Sequence, residues 1–146
     1  MKREQFIKSL VLSILPMALL QACKKSLPST PTVITGKVID ENNMPVEGFM
    51  FSFSGIDKKN LINGLPTFLE RQKTDKQGIY IISVVIPDGT DDVAFVVEGY
   101  ENDSAKTATI DLYIEKSGIY QLYINVVEGP INYGKTNTFN FQIRKR

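Results

Sequence analysis

Residues 49–54 read Phe49-Met50-Phe51-Ser52-Phe53-Ser54. The three phenylalanines share one parity, and Met50, Ser52 and Ser54 share the other. A period of two belongs to an extended strand, whose side chains point alternately to opposite faces. The same alternation recurs downstream. Ala108, Ile110, Leu112 and Ile114 alternate with Thr107, Thr109, Asp111 and Tyr113. Tyr120, Leu122, Ile124 and Val126 share a parity, as do Phe139, Phe141 and Ile143 against Asn140, Gln142 and Arg144. β-branched and aromatic residues dominate these runs, as strands prefer.

Turn chemistry separates the runs. Asp40-Glu41-Asn42-Asn43-Met44-Pro45 follows the first, and Pro87-Asp88-Gly89 marks another turn. Asp75-Lys76-Gln77-Gly78 and Lys116-Ser117-Gly118 are expected to close tight hairpins, since glycine takes positive φ without a steric cost. Lys76–Tyr80 and Lys116–Tyr120 match at four of five positions, which similar turn chemistry explains without a blade repeat. Strands are expected near 33–39, 48–54, 66–74, 78–86, 92–98, 107–115, 118–127 and 138–144. No stretch after residue 22 carries a helical stripe. The expected architecture is all-β, an antiparallel β-sandwich of seven or eight strands.

The N-terminus reads differently. Lys2, Arg3 and Lys8 precede an uncharged run, Leu10 to Leu20. A positive region followed by a short apolar one is the pattern of a secretory signal. Eleven helical residues span about 16 Å, too short for a bilayer core. Leu20-Gln21-Ala22-Cys23 resembles the bacterial lipobox. That resemblance implies diacylglycerol on the Cys23 thiol, cleavage before it and, often, acylation of the new amine with a chain such as palmitate. Each buried CH₂ contributes about 0.8 kcal/mol, so two or more chains anchor durably where one does not. The domain reading is therefore 1–22 signal peptide, 23–32 lipidated tether and 33–146 sandwich. Lys24-Lys25-Ser26 carries neither an aspartate nor an acidic cluster. The expected location is the cell envelope, in the outer membrane.

Composition narrows function. Removing Lys2, Arg3, Lys8 and Glu4 from 17 basic and 16 acidic residues leaves 14 and 15. That balance offers no electrostatic case for nucleic acid, and Arg144-Lys145-Arg146 is read as a solvated tail. The chain has no histidine, which removes the commonest general base and metal ligand. Its one cysteine excludes an internal disulfide. Ser-based catalysis lacks its histidine, and no G-x-S-x-G occurs. No catalytic residue and no cofactor is expected.

Four segments carry a family resemblance: Ile34-Thr35-Gly36-Lys37-Val38-Ile39-Asp40, Met44-Pro45-Val46-Glu47-Gly48, Thr74-Asp75-Lys76-Gln77-Gly78-Ile79-Tyr80 and Val96-Val97-Glu98-Gly99-Tyr100. In this order they resemble the carboxypeptidase regulatory-like domain, a transthyretin-like β-sandwich; an immunoglobulin-like sandwich is the competing fold. The resemblance implies a non-catalytic support or contact module, as such domains are in carboxypeptidases, outer-membrane transporters and cell-surface proteins. The zinc domain of those peptidases has no counterpart here. Physically, the motif residues read as scaffold. Gly36 and Gly48 admit a close neighbour, Asp75 accepts bonds from its own turn, and Tyr80 and Tyr100 plug the core with hydroxyls at the rim.

Residual chemistry is thin. Asp88, Asp91 and Asp92 are a weak Ca²⁺ candidate without EF-hand spacing, and a solvated turn is the plainer reading. Glu98, Glu101 and Asp103 form a second acidic group with the same plain reading. The expected function is a non-catalytic, lipid-anchored envelope sandwich that contacts another envelope protein. The alternative is a small-ligand or glycan-binding lipoprotein using loops 55–65 and 129–137. Exposure of Phe68, Tyr113, Tyr123 or Tyr133 would favour the glycan reading, and burial of all four the contact reading. A partner is expected at a sheet edge, with Thr138–Arg146 and the first strand as candidates, near Lys37, Lys58 or Lys59.

Overall fold

The computed structural model describes residues 26–59, 64–101, 103–123 and 130–146. Cys23 and the lipobox lie outside them, as do parts of loops 55–65 and 129–137 and the end of the strand expected at 118–127. The elements are β1 (Thr32–Asp40), β2 (Phe49–Asp57), β3 (Leu65–Lys73), β4 (Ile79–Val84), β5 (Asp92–Tyr100), α1 (Ser104–Ala108), β6 (Ile110–Lys116), β7 (Ile119–Leu122), β8 (Thr136–Thr138) and β9 (Phe141–Lys145). They form an all-β sandwich. One sheet runs β4-β1-β9-β6-β7, with β8 also on β1, and the other runs β3-β2-β5.

The parity of β2 faces its phenylalanines into the space between the sheets. Phe49, Phe51 and Phe53 are buried there with Phe95 of β5. They meet Ile34 and Val38 of β1, Tyr80 and Ile82 of β4, Ile114 of β6, and Phe141 and Ile143 of β9. Phe51 lies at the centre. Its ring stacks on Tyr80 at 4.0 Å and stands 5.4 to 5.6 Å from those of Phe49, Phe95 and Phe141. Met50 and Ser52 on the opposite face of β2 are also buried. Arg71 of β3 reaches Glu98 of β5 at 3.2 Å, so an ion pair joins the two strands that flank β2.

Two turns share one design. Asp40 Oδ1 accepts from the N–H groups of Asn42 and Met44, while Asp40 N–H donates to Met44 O and Asn43 N–H to Asp40 O. Asp75 repeats all four bonds with Gln77, Ile79 and Gly78. The fourth position has positive φ in both, +63° at Asn43 and +73° at Gly78. The loops nest together, since Val38 N–H donates to Gly78 O and Val46 N–H to Val38 O. Asp75→Ala removes two acceptor contacts and is expected to cost about 1–2 kcal/mol, while Asp75→Asn keeps an acceptor oxygen and most of that stability. Denaturation midpoints of the two variants check this.

Several sequence expectations are corrected. The turn at 75–78 closes like a hairpin, yet β3 and β4 join different sheets, so it carries the chain across the sandwich. The turn at 116–118 is a true hairpin, pairing Lys116 with Ile119 across Ser117 and Gly118, both at positive φ. The expected strand 107–115 starts late, at Ile110. Asp103 caps α1 through the Lys106 N–H at 2.8 Å, and Ala108 sits in the helix rather than in the strand parity. The last expected strand divides at Phe139-Asn140 into β8 and β9, giving nine strands among the described residues. Both pair parallel to β1, so that sheet is mixed rather than antiparallel.

Of the two candidate edges, the first strand and β9 are both interior, and only Thr138, in the short β8, lies on a strand with a single partner. β9 lies between β1 and β6, and β1 lies between β4 and the β8–β9 pair. This explains Gln142, expected to face outward but only 7% exposed: its amide donates to Asp40 O and its oxygen accepts from Arg144. The tether is shorter than expected. Leu27 packs on the core, Thr30 Oγ1 donates to Gly134 O, and the buried Thr32 Oγ1 accepts from Gly134 N–H at 2.8 Å.

Candidate functional site

The acidic loop comes first. Pro87-Asp88-Gly89-Thr90 turns between the sheets, Thr90 N–H and Oγ1 both donating to Pro87 O, and delivers Asp91 and Asp92 to the start of β5. The end of β2 brings Lys58 and Lys59 alongside. Lys58 Nζ lies 2.8 Å from Asp92 Oδ2, the Lys58 N–H donates to Asp91 Oδ2 at 2.8 Å, and Lys59 Nζ is 4.0 Å from Asp91. The Lys58 amide bond holds the Asp91 carboxyl below its usual range, and the Lys58 ammonium does the same for Asp92. In return Asp92 raises Lys58. Asp91 and Asp92, two of the three candidate carboxylates, are thus engaged by lysine groups, while Asp88 sits in the turn before them. Among the described residues no three His, Cys, Asp or Glu side chains converge to hold a metal.

The second acidic group is likewise committed to the fold. Glu98 pairs with Arg71, Glu101 with Lys73, and Asp103 caps α1. Gly99 at φ +90° leads into this corner, where Tyr100 N–H donates to Thr107 Oγ1 at 3.0 Å. Lys106 places its ammonium 3.7 Å over the Tyr100 ring.

Beside that stack runs an open groove of about 490 Å³, with Asp40, Glu47, Tyr100, Lys106, Lys145 and Arg146 among its lining residues. A smaller cavity of about 260 Å³ adjoins it where β5 faces β6 and β7, lined by Phe49, Leu112, Leu122 and Tyr123. Many of the groove's charges are already engaged. Arg146 Nε donates to Asp111 at 2.6 Å, Glu41 accepts from the Lys145 N–H, and Asp40 closes its own loop. Tyr100 is raised from its ordinary value by partial burial and then by the nearby Asp40 charge. The groove presents charges of both signs.

The four aromatics that were to separate the glycan and contact readings are all half-buried. Phe68 stands edge-on to Phe53, Tyr123 edge-on to Phe141, and Arg144 lies 4.1 Å over Tyr113. They form neither an exposed stacking platform nor a sealed core layer. Tyr80, expected to reach the rim, is wholly interior. Its hydroxyl donates to Phe139 O at 2.7 Å, and burial pushes its pKa far up. The groove at Tyr100 and the lysines beside the acidic loop carried no signal in the sequence, since each arises from residues tens of positions apart.

No family model matches the chain, and no curated protein matches it. Among solved structures it is similar to the dioxygenase domain of a novel dioxygenase carbohydrate-binding protein fusion from the cellulolytic bacterium Streptomyces sp. SirexAA-E. The identity is 15% over 84% of this chain and 85% of that one, with a TM-score of 0.43. A likeness at that level decides neither fold nor activity.

Proposed function

We propose that this chain is a non-catalytic β-sandwich of the bacterial envelope, anchored by lipid on Cys23 in the outer membrane, that contacts another envelope protein. One observation carries the reading: the Leu20-Gln21-Ala22-Cys23 box stands directly after a charged and then apolar leader. Leu27, four positions after Cys23, already packs on the core, so a lipid on Cys23 would hold the sandwich close to the bilayer. The commitment of the acidic groups to lysines, arginine and a helix cap supports the non-catalytic part. The four motif segments that resemble a carboxypeptidase regulatory-like domain act here as turns and close-packing points, which suits a scaffold.

The second reading, a small-ligand or glycan-binding lipoprotein, draws on the groove beside Tyr100. It shares the anchor and differs only in what the domain meets.

Cys23→Ser is expected to leave an uncut precursor that takes up no labelled palmitate. The gel mobility and label of the variant, expressed in a bacterium that processes lipoproteins, check this. A variant still cut at the same place and equally membrane-bound would refute the anchor.

A further inference from the structure

Sheet edges expose unpaired backbone groups, and proteins normally guard them with charge, proline, brevity or a covering element. Among the described residues five strands have a single partner, and four of them follow that rule, β8 by being three residues long. β3 carries Pro66, Glu70, Arg71 and Lys73. β5 carries Asp92 and Glu98, and α1 folds back on its end. β7 is four residues long. β4 is different. From Ile79 to Ile86 the chain reads Ile-Tyr-Ile-Ile-Ser-Val-Val-Ile, with no charge and no proline.

The register identifies which backbone groups are free. β1 and β4 pair antiparallel as Lys37 with Ile79, Gly36 with Tyr80, Ile34 with Ile82 and Thr32 with Val84. Val38 N–H donates to Gly78 O in that same register. Antiparallel pairs alternate between hydrogen-bonded and non-bonded. Tyr80, Ile82 and Val84 therefore bond to β1, and the N–H and C=O groups of residues 79, 81, 83 and 85 point off the free edge. Asp75 already engages both groups of Ile79. Ile81, Ser83 and Val85 remain, and among the described residues no strand pairs with that side. Their side chains share the outer face, with Ile81 58% and Val85 48% exposed.

We propose that this edge pairs with the same edge of a second copy of the chain, across a twofold axis at Ser83. The occupant follows from self-complementarity. Antiparallel pairing centred on Ser83 sets Ser83 opposite its twin and Ile81 opposite Val85 of the other copy, twice. Three bonded residue pairs of two bonds each supply about six main-chain hydrogen bonds. The flanking Ile–Val contacts and the central Ser–Ser contact are cross-strand pairs that stabilise sheets. A charged edge would repel its own copy; this one carries no charge to do so. The two six-stranded sheets thereby become one continuous sheet, with both sandwiches outside it unchanged.

The test is sedimentation of the full chain in detergent. The wild type is expected to show a concentration-dependent dimer. Ser83→Lys sets two ammonium groups face to face at the axis, and Ser83→Asp sets two carboxylates there. Ser83 is exposed, so each monomer is expected to fold normally by circular dichroism. Each variant alone is expected to dimerise at least about tenfold more weakly, and an equimolar mixture of the two to recover dimer by pairing opposite charges. A wild type that stays monomeric at every concentration overturns the proposal, which would leave the edge to a different protein's strand. Variants that dimerise as tightly as wild type, or a mixture no tighter than its components, overturn it equally.

Discussion

Gly36→Ala is expected to destabilise the protein severely. A Cβ at Gly36 would stand 1.8 Å from the Phe139 carbonyl oxygen and 2.6 Å from its carbon. Both are backbone atoms, so no rotamer change relieves the clash. The chain at Phe139-Asn140, between β8 and β9, would have to leave β1. Three hydrogen bonds then fail: Phe139 N–H to Thr35 O at 2.8 Å, Tyr80 Oη–H to Phe139 O at 2.7 Å, and Lys37 N–H to Asn140 Oδ1 at 2.9 Å. At about 1 kcal/mol each, plus 1–3 kcal/mol for overpacking, the loss is about 4–6 kcal/mol. That is comparable to the whole stability of many domains. The melting temperature is expected to fall by about 15 °C or more. Gly48→Ala is the control. Gly48 has φ +77° with nothing within 4 Å of its Cβ position, so only conformational strain of about 1–2 kcal/mol applies. If both alanines melt alike, the close approach at Gly36 is wrong.

Phe51→Ala is expected to cost about 3–5 kcal/mol, the range for a fully buried phenylalanine. Phe51 is the ring on which both sheets meet, touching Tyr80 of β4, Phe95 of β5 and Phe141 of β9. A cavity there faces rings fixed by their own neighbours, and Tyr80 is further held by its bond to Phe139 O. The site therefore collapses poorly, and the upper half of the range is expected. Phe68→Ala removes a half-buried ring that stands edge-on to Phe53, and is expected to cost less than half as much. Urea midpoints at unchanged slope check the pair. Equal losses at Phe51 and Phe68 would mean that the aromatic cluster does not centre on Phe51.

The turn readings that the structure bears out rest on neighbouring residues. Asp75 was read as bonding its own turn, and it does, because acceptor and donors lie within four positions. The lipobox is a contiguous signal and sits outside the described residues. The acidic loop was legible only as three carboxylates. Its Lys58 partner is 34 positions from Asp92, and no local pattern links β2's end to β5's start. The groove at Tyr100 draws on the ends of β1 and β9, on α1 and on β5, so it exists only once the strands are ordered.

The sequence by itself determined that the chain forms strands, which face of β2 meets the core and where most of the strands turn. Period-two patterning, positive-φ residues and Asp loops act over a few positions, and the solvent enforces them locally. Strand order was decided only in the tertiary structure. Phe139, Phe141 and Ile143 show one buried face, which an edge strand and a central strand share equally. What places β9 between β1 and β6 is the room at Gly36 for the Phe139 carbonyl and the Tyr80 hydroxyl that holds it. Those three residues lie as many as 103 positions apart, and the contact between them exists only when both sheets have closed.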